Sequence, residues 1–134
     1  MWDHYIDHLI DKSEGHIDKA CLIELDGGSK LTTDNHPQDL KISSSEAGNI
    51  ATLFKNNNLD AFSSTGISAG GVNYQFLRQE DDKIALGKKK DLGALTLQKS
   101  NTKIIIAHTR EGGMQGNSNK SVNGLADYFE SIGM

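Results

Sequence analysis

His4 and His8 stand four residues apart, with Asp3, Asp7 and Asp11 around them. On a helix that spacing puts both imidazoles on one face, which is half of a zinc site. A closed tetrahedral site needs further donors, and neither an HExxH run nor a second cysteine supplies them. The pattern reads as a hydrated helix face, and no metal or other cofactor is expected. Cys21 is single and sits in an apolar run, where a thiol behaves as a small hydrophobe. His108 closes another apolar run and reads as a packed histidine, not a base. Gly112, Gly113 and Gly116 lack the Gly-Lys-Ser/Thr ending of a phosphate loop. No nucleophile–base pair emerges, so catalysis is not expected.

Charge placement says more. Seven basic residues lie between Arg78 and Lys103 (Arg78, Lys83, Lys88, Lys89, Lys90, Lys99 and Lys103), against the four acids Glu80, Asp81, Asp82 and Asp91. The chain as a whole carries a net charge of -4. An acidic protein with one basic strand region either solvates its turns or holds a docking face for an acidic partner. The overall charge argues against a general nucleic-acid binder.

Two apolar stripes mark the elements that would position such a face. Val122, Leu125, Ala126, Phe129 and Ile132 recur at helical steps within Ser121 to Met134, with Tyr128 beside the stripe. Trp2, Tyr5, Ile6, Leu9 and Ile10 share one side of a helix from Trp2 to Lys12, which Ser13, Glu14 and Gly15 end. Two such helices are most simply placed side by side on one sheet, tying down segments that otherwise fray. Trp2, Tyr5 and Tyr128 then form either a shared aromatic surface or the edge of the core.

Between them, Lys19 to Leu25 reads as a strand, Asp26-Gly27-Gly28 as a hairpin turn and Lys30 to Thr33 as the returning strand. Thr33 to Leu40, with Pro37, is loop. Ser43 and Glu46 form a capping box that opens a helix to Phe54, with Ala47, Ile50, Ala51 and Phe54 on one face. Ala61 to Ile67 is a candidate strand and Gly70-Gly71 a turn, after which Val72, Tyr74 and Phe76 alternate with polar residues. Lys83 to Lys88, Gly93 to Lys99 and Lys103 to His108 follow as strands. The unbroken Ile104-Ile105-Ile106-Ala107 run predicts a central strand covered on both faces. Arg110 to Asn119 reads as loop.

The expected fold is therefore α+β: an antiparallel meander with the N- and C-terminal helices on one face and a further helix on the other. The 134 residues form one domain, spanning 1–134, with 36% hydrophobic and 6% aromatic residues. No stretch approaches the roughly 18 apolar residues of a membrane span. With a lone cysteine and no signal-peptide pattern, the expectation is a soluble, cytoplasmic protein.

In order along the chain, several pieces resemble the profilin family. They are Trp2…Tyr5-Ile6-Asp7…Leu9-Ile10, Gly66…Gly70-Gly71-Val72-Asn73-Tyr74…Arg78, and Ile84…Gly87-Lys88-Lys89. After these come Gly93…Thr96…Lys99-Ser100, Ile104-Ile105-Ile106-Ala107-His108 and Leu125-Ala126-Asp127-Tyr128-Phe129. The resemblance covers nearly the whole chain and implies the same fold. It also implies a monomer that binds monomeric actin, promotes nucleotide exchange on it, blocks addition at the slow-growing filament end and delivers monomers to proline-rich elongation factors. By this resemblance Arg78, Lys88, Lys89, Lys99, Gly116, Asn119 and Lys120 fall on actin-facing positions. Ser64, Asn73, Met114 and Gln115 occupy that face without a diagnostic residue type, Met114 being the candidate apolar contact.

A second implied ligand is a proline-rich segment, gripped by Trp2, Tyr5 and Tyr128. Leu31 stands where many members carry a second Trp, and Met134 where the chain usually ends in an aromatic. Neither offers a donor, which implies weakened or altered polyproline binding. Thr109 replaces another common aromatic, and Phe129 is expected to pack inward. A third implied ligand is an anionic phosphoinositide at Lys88, Lys89 and Lys90. The rival expectation is a signalling or scaffold module of the same architecture, such as a small-GTPase regulator platform, that does not touch actin.

Overall fold

The computed structural model describes residues 2–134. In chain order it contains α1 (His4–Lys12), β1 (Ile17–Glu24), α2 (Ser44–Lys55), a 3-10 turn (Leu59–Ala61), the single-turn α3 (Phe62–Thr65), β2 (Ile67–Ala69), β3 (Val72–Glu80), β4 (Ile84–Lys89), β5 (Gly93–Lys99), β6 (Lys103–Thr109) and α4 (Gln115–Ser131). The strands form a six-stranded sheet in the order β1-β6-β5-β4-β3-β2. All its ladders are antiparallel. β2 to β6 are thus a meander, and β1 joins it beside β6.

The apolar run of β6 follows from this layering. Ile104 and Ile106 enter a core with Ile50 and Phe54 of α2. Ile105 and Ala107 enter a second core with Leu9 of α1 and Val122, Leu125 and Phe129 of α4. Terminal helices on one face and the middle helix on the other is the arrangement the sequence predicts.

Three local expectations differ. Lys30 to Thr33 is not a strand: Lys30 makes a single bridge to Ile23, and the segment then crosses the free edge of β1. Leu31 N–H bonds Leu22 O at 2.8 Å, the Thr32 hydroxyl takes Leu22 N–H, and Leu40 N–H bonds Ala20 O. The buried Asp39 carboxylate pairs with Lys30. This segment covers an edge that would otherwise template another chain. Ala61 to Ile67 is also not a strand, apart from Ile67 itself. Ser63 Oγ donates to Asp60 O, which favours the tight turn, and Phe62 and Leu59 are buried there. The strand begins only past Gly66, at φ 74°.

Lastly, α4 starts at Gln115, inside the expected loop. Gln115 Nε2 donates to Leu95 O, Asn119 bonds the Thr96 hydroxyl, and Gln98 Nε2 donates to Asn123 Oδ1. These contacts to β5 recur every fourth residue and hold in helical form a Gly/Asn/Ser stretch of poor propensity.

The capping box at α2 is present and reaches further than its own helix. Glu46 Oε1 accepts Ser43 N–H at 2.9 Å and Gly70 N–H at 3.0 Å, while Oε2 accepts Gly71 N–H at 3.0 Å. Burial alone would push this carboxyl up, but the Ser43, Gly71 and Gly70 N–H groups bind its charged form and hold it below its ordinary value. The Thr33 hydroxyl does the same for Asp3, aided by Thr33 N–H. A carboxyl lowered in this way adds stability that is fully present above its unfolded pKa and is lost as pH falls through the folded one. The urea midpoint should therefore drop between pH 6 and pH 3. Glu46→Gln should lower stability at pH 6 by about 1–2 kcal/mol and flatten that drop.

Candidate functional site

Buried Phe129 joins the two terminal helices. Tyr5 meets its ring at 5.1 Å and 89°, and Trp2 meets it at 6.1 Å and 78°. Trp2 and Tyr5 lie 5.9 Å apart. Leu31 and Met134 pack, partly buried, on the same cluster. Phe129 thus packs inward as expected. Tyr128 is 50% exposed at the outer rim. Burial, with Tyr128 nearby, raises the Tyr5 phenol above its usual pKa and keeps it a donor.

Met134 is fixed by a helix-end motif: with Gly133 at φ 86°, Met134 N–H returns to Phe129 O at 2.7 Å. Its main-chain oxygen accepts Thr102 N–H and the Ser100 hydroxyl. Sequence reasoning missed Lys103 here. Its Nζ lies 5.3 Å from the centre of the Trp2 ring and 2.7 Å from Glu24 Oε1. A cation over one indole face fixes which face remains for a ligand. Its alternation with Ile104 along β6 was the available signal.

On the outer side of the helix pair runs a groove of about 600 Å³. His4, His8 and Lys12 of α1 form one wall, and Lys120, Gly124 and Tyr128 of α4 the other, over Tyr5 and Leu125. His4 and His8 therefore share a face, as their spacing requires, and that face borders a cavity.

A second surface lies where α4 meets the β3–β5 part of the sheet. Register puts Arg78 opposite Leu86, Leu86 opposite Thr96, and Lys88 opposite Ala94. Thr96 reaches Asn119 of α4, so these side chains share the α4 face. Glu80, Ile84, Gln98, Asn119, Lys120 and Asn123 line a shallow cleft there. Arg78 and Lys88 thus lie on the sheet face that meets α4, and Asn119 and Lys120 line the cleft on that face. Glu80, Ile84, Gln98 and Asn123 complete the surface and were missed, although alternation along β3 and β4 would have found the first two.

Met114 projects 63% exposed at the start of α4, and Gly116 is open. The turn after α1 holds this corner: Met114 N–H donates to His16 Nδ1 at 2.9 Å, and Arg110 N–H to His16 O at 3.0 Å. Gln115 is spent on Leu95 O.

Other expected residues are set apart. Lys99 shares parity with Leu95 and Leu97 and points to the α2 face, where Nζ reaches Asn57 Oδ1 at 3.4 Å. Asn73 Nδ2 ties Thr65 O to the Ser68 hydroxyl within the β2–β3 hairpin, and Ser64 sits exposed on α3. Lys88 and Lys89 project to opposite sheet faces, so with Lys90 they ring the end of the β4–β5 hairpin. Lys83 and Lys103, counted within the basic region, are paired with Glu130 and Glu24.

His108 is a packed histidine: Nδ1 lies 2.5 Å from Asp18 Oδ1 and Nε2 2.6 Å from Leu92 O. Burial pushes the Cys21 thiol well up, away from reactivity. Thr109 is satisfied in its aromatic-free position by the Ser118 hydroxyl at 2.6 Å.

The geometry defines a small α+β binding module: one antiparallel sheet, an aromatic patch on a pair of terminal helices, and a polar, partly basic face at the start of the last helix. The profile of the profilin family matches residues 1–134, and the chain belongs to that family. It is 52% identical to the profilin of Heliocidaris crassispina over 138 aligned positions, covering 99% of each chain. Profilin IB of Acanthamoeba castellanii shares the fold with a TM-score of 0.84, at 25% identity and full coverage of both chains. Two more distant structures share the fold at 17% identity. Mouse profilin IIa, solved with a double repeat from the FH1 domain of mDia1, has a TM-score of 0.75 and covers 99% of each chain. LokiProfilin2, solved in complex with rabbit actin, has a TM-score of 0.71 over 96% of this chain and 95% of that one. Among the described residues, no helix is long and apolar enough to cross a membrane.

Proposed function

We propose that this chain binds monomeric actin through the surface of Arg78, Lys88, Asn119 and Lys120, with Met114 as its apolar contact. In this reading it regulates filament assembly in the cytoplasm and is not an enzyme; nucleotide turnover in the complex belongs to actin. The observation that carries this reading is the family match along the whole chain; the register of Arg78 and Lys88 on the sheet face that meets α4 supports it. The rival, a small-GTPase platform, gains nothing from that match. Actin is acidic, so the basic residues set encounter and orientation, and the apolar contact supplies affinity. Lys99, on the other face, has no part in it.

The Trp2–Tyr5–Tyr128 patch takes a proline-rich segment, with Leu31 and Met134 as packing neighbours that donate nothing. That leaves ring contacts, the Tyr hydroxyls and the Trp2 indole N–H to hold the ligand and weakens the grip. Lys88, Lys89 and Lys90 at the hairpin end suit an anionic phosphoinositide and would set lipid against actin.

The test pairs a monomeric-actin binding assay with Trp2 fluorescence during titration with a proline-rich peptide. Arg78→Glu/Lys88→Glu should weaken actin binding at least about tenfold without moving the peptide titration. Unchanged actin affinity in that variant would remove the proposed face. Vesicle binding that survives replacement of all three hairpin lysines by Gln would remove the lipid role.

A further inference from the structure

The groove between α1 and α4 has a polarity that the proline-rich reading leaves unused. The helices run antiparallel, so the aromatic end, with Tyr5 and Tyr128, lies opposite an end where Lys12 faces Lys120. Among the described residues, no acidic side chain lines the groove. Of the nearby acids, Asp7 is turned away and bonds His36 at 2.8 Å, Asp11 is exposed beside Lys12, and Glu14, past the end of α1, accepts from Asn117 Nδ2 of α4 at 3.3 Å. Ser121, near Lys120, donates its hydroxyl to Leu9 O and closes the floor. A Cβ built on Gly124 would meet nothing, so the groove stays open halfway along. In a chain of net charge -4, this is a channel with an apolar floor and cationic walls at one end.

Resting on the proline-rich reading of the same helix pair, we propose that this groove reads an acidic residue of the ligand, placed a fixed distance beyond its prolines. Tyr5 and Lys12 are separated by seven helical residues, roughly 10 Å along the axis at about 1.5 Å each. An extended proline helix rises about 3.1 Å per residue. A carboxylate three to four positions past the last gripped proline therefore arrives between Lys12 and Lys120. The partner is a proline-rich segment flanked by Asp or Glu. A segment flanked by Lys meets like charge and is rejected.

The experiment compares four peptides with one proline run, flanked at that spacing by two Ser, by two Glu on the N-terminal side, by two Glu on the C-terminal side, or by two Lys. Affinities are read from Trp2 fluorescence at low ionic strength. One Glu peptide should bind about fivefold tighter than the Ser peptide, and the Lys peptide more weakly than either. Lys12→Gln should abolish the gain and Lys12→Glu reverse it, with the Ser peptide bound as before. Lys12 is exposed on α1, so neither change threatens the fold. Ser and Glu peptides bound within twofold of each other would overturn the inference and leave the proline reading standing. A gain that survives both Lys12 variants would do the same. If no peptide binds, the proline reading fails and this one with it. An acidic peptide without prolines that binds equally well would show a groove that does not measure from the prolines.

Discussion

Phe129→Ala is expected to cost about 4 kcal/mol, within the range for truncating a fully buried aromatic ring. The ring has no exposed surface and is met edge-on by Trp2 and Tyr5, with Tyr128 6.1 Å away. Leu9, Leu22 and Ile105 belong to the same buried cluster. These neighbours do not close the void, because they are held by four elements, α1, β1, β6 and α4. The main-chain bond from Met134 N–H to Phe129 O is available to alanine too, so the loss is one of ring packing. Urea unfolding followed by circular dichroism would give the stability. Trp2 emission in the folded state would shift to the red as its neighbour disappears. Tyr128→Ala, one residue away and half exposed, should change stability by less than about 0.5 kcal/mol. Comparable losses in both variants would mean that the buried ring does not join the helices.

Gly93→Ala is expected to lose about 3 kcal/mol, a fall of roughly 10 °C in melting temperature for a domain of this size. Gly93 opens β5 at φ 100°, a conformation other residues avoid. A Cβ there would lie 2.1 Å from Thr109 O and 2.9 Å from His108 Nε2. Neither can yield: Thr109 is paired with Ala94, and His108 is held between Asp18 and Leu92 O. Gly124→Ala is the control. It lies within α4 in open space, so relief of backbone entropy should raise stability by about 0.5–1 kcal/mol. Equal outcomes for the two glycines, read by differential scanning calorimetry, would contradict this account.

The elements legible in the sequence were those whose pattern belongs to them alone. The Ile104-Ile105-Ile106-Ala107 run disclosed a strand buried on both faces, and the Ser43/Glu46 pair disclosed a helix start. The misread elements depend on partners elsewhere. Nothing within Gln115 to Lys120 favours a helix until Thr96 and Leu95 O stand opposite. Nothing within Lys30 to Thr33 shows that Leu22 will be met partly by a hydroxyl. Ala61 to Thr65 has strand-like composition, yet Ser63 turns it locally.

The candidate site divides in the same way. Trp2, Tyr5, Phe129 and Tyr128 were readable because helical spacing aligned them. The resemblance added Arg78 and Lys88, and strand register puts both on the face of α4. Lys99 was misplaced because strand parity decides its face, and parity is invisible until the register is known. Lys103 over Trp2 joins residues from opposite ends of the chain, a contact no local pattern carries.

The sheet order also bears on how the chain reaches this structure. Each strand of the meander from β2 to β6 pairs with its neighbour in sequence, so those hairpins close small loops and form early. β1 is different: its ladder is with β6, across most of the chain. Its edge segment and α1 can settle only once β6 and α4 are in place. The first strand to leave the ribosome is therefore the last to dock. Until it does, Ile105, Val122, Leu125 and Phe129 lack the cover that Leu9, Ile17 and Leu22 give them in the folded chain.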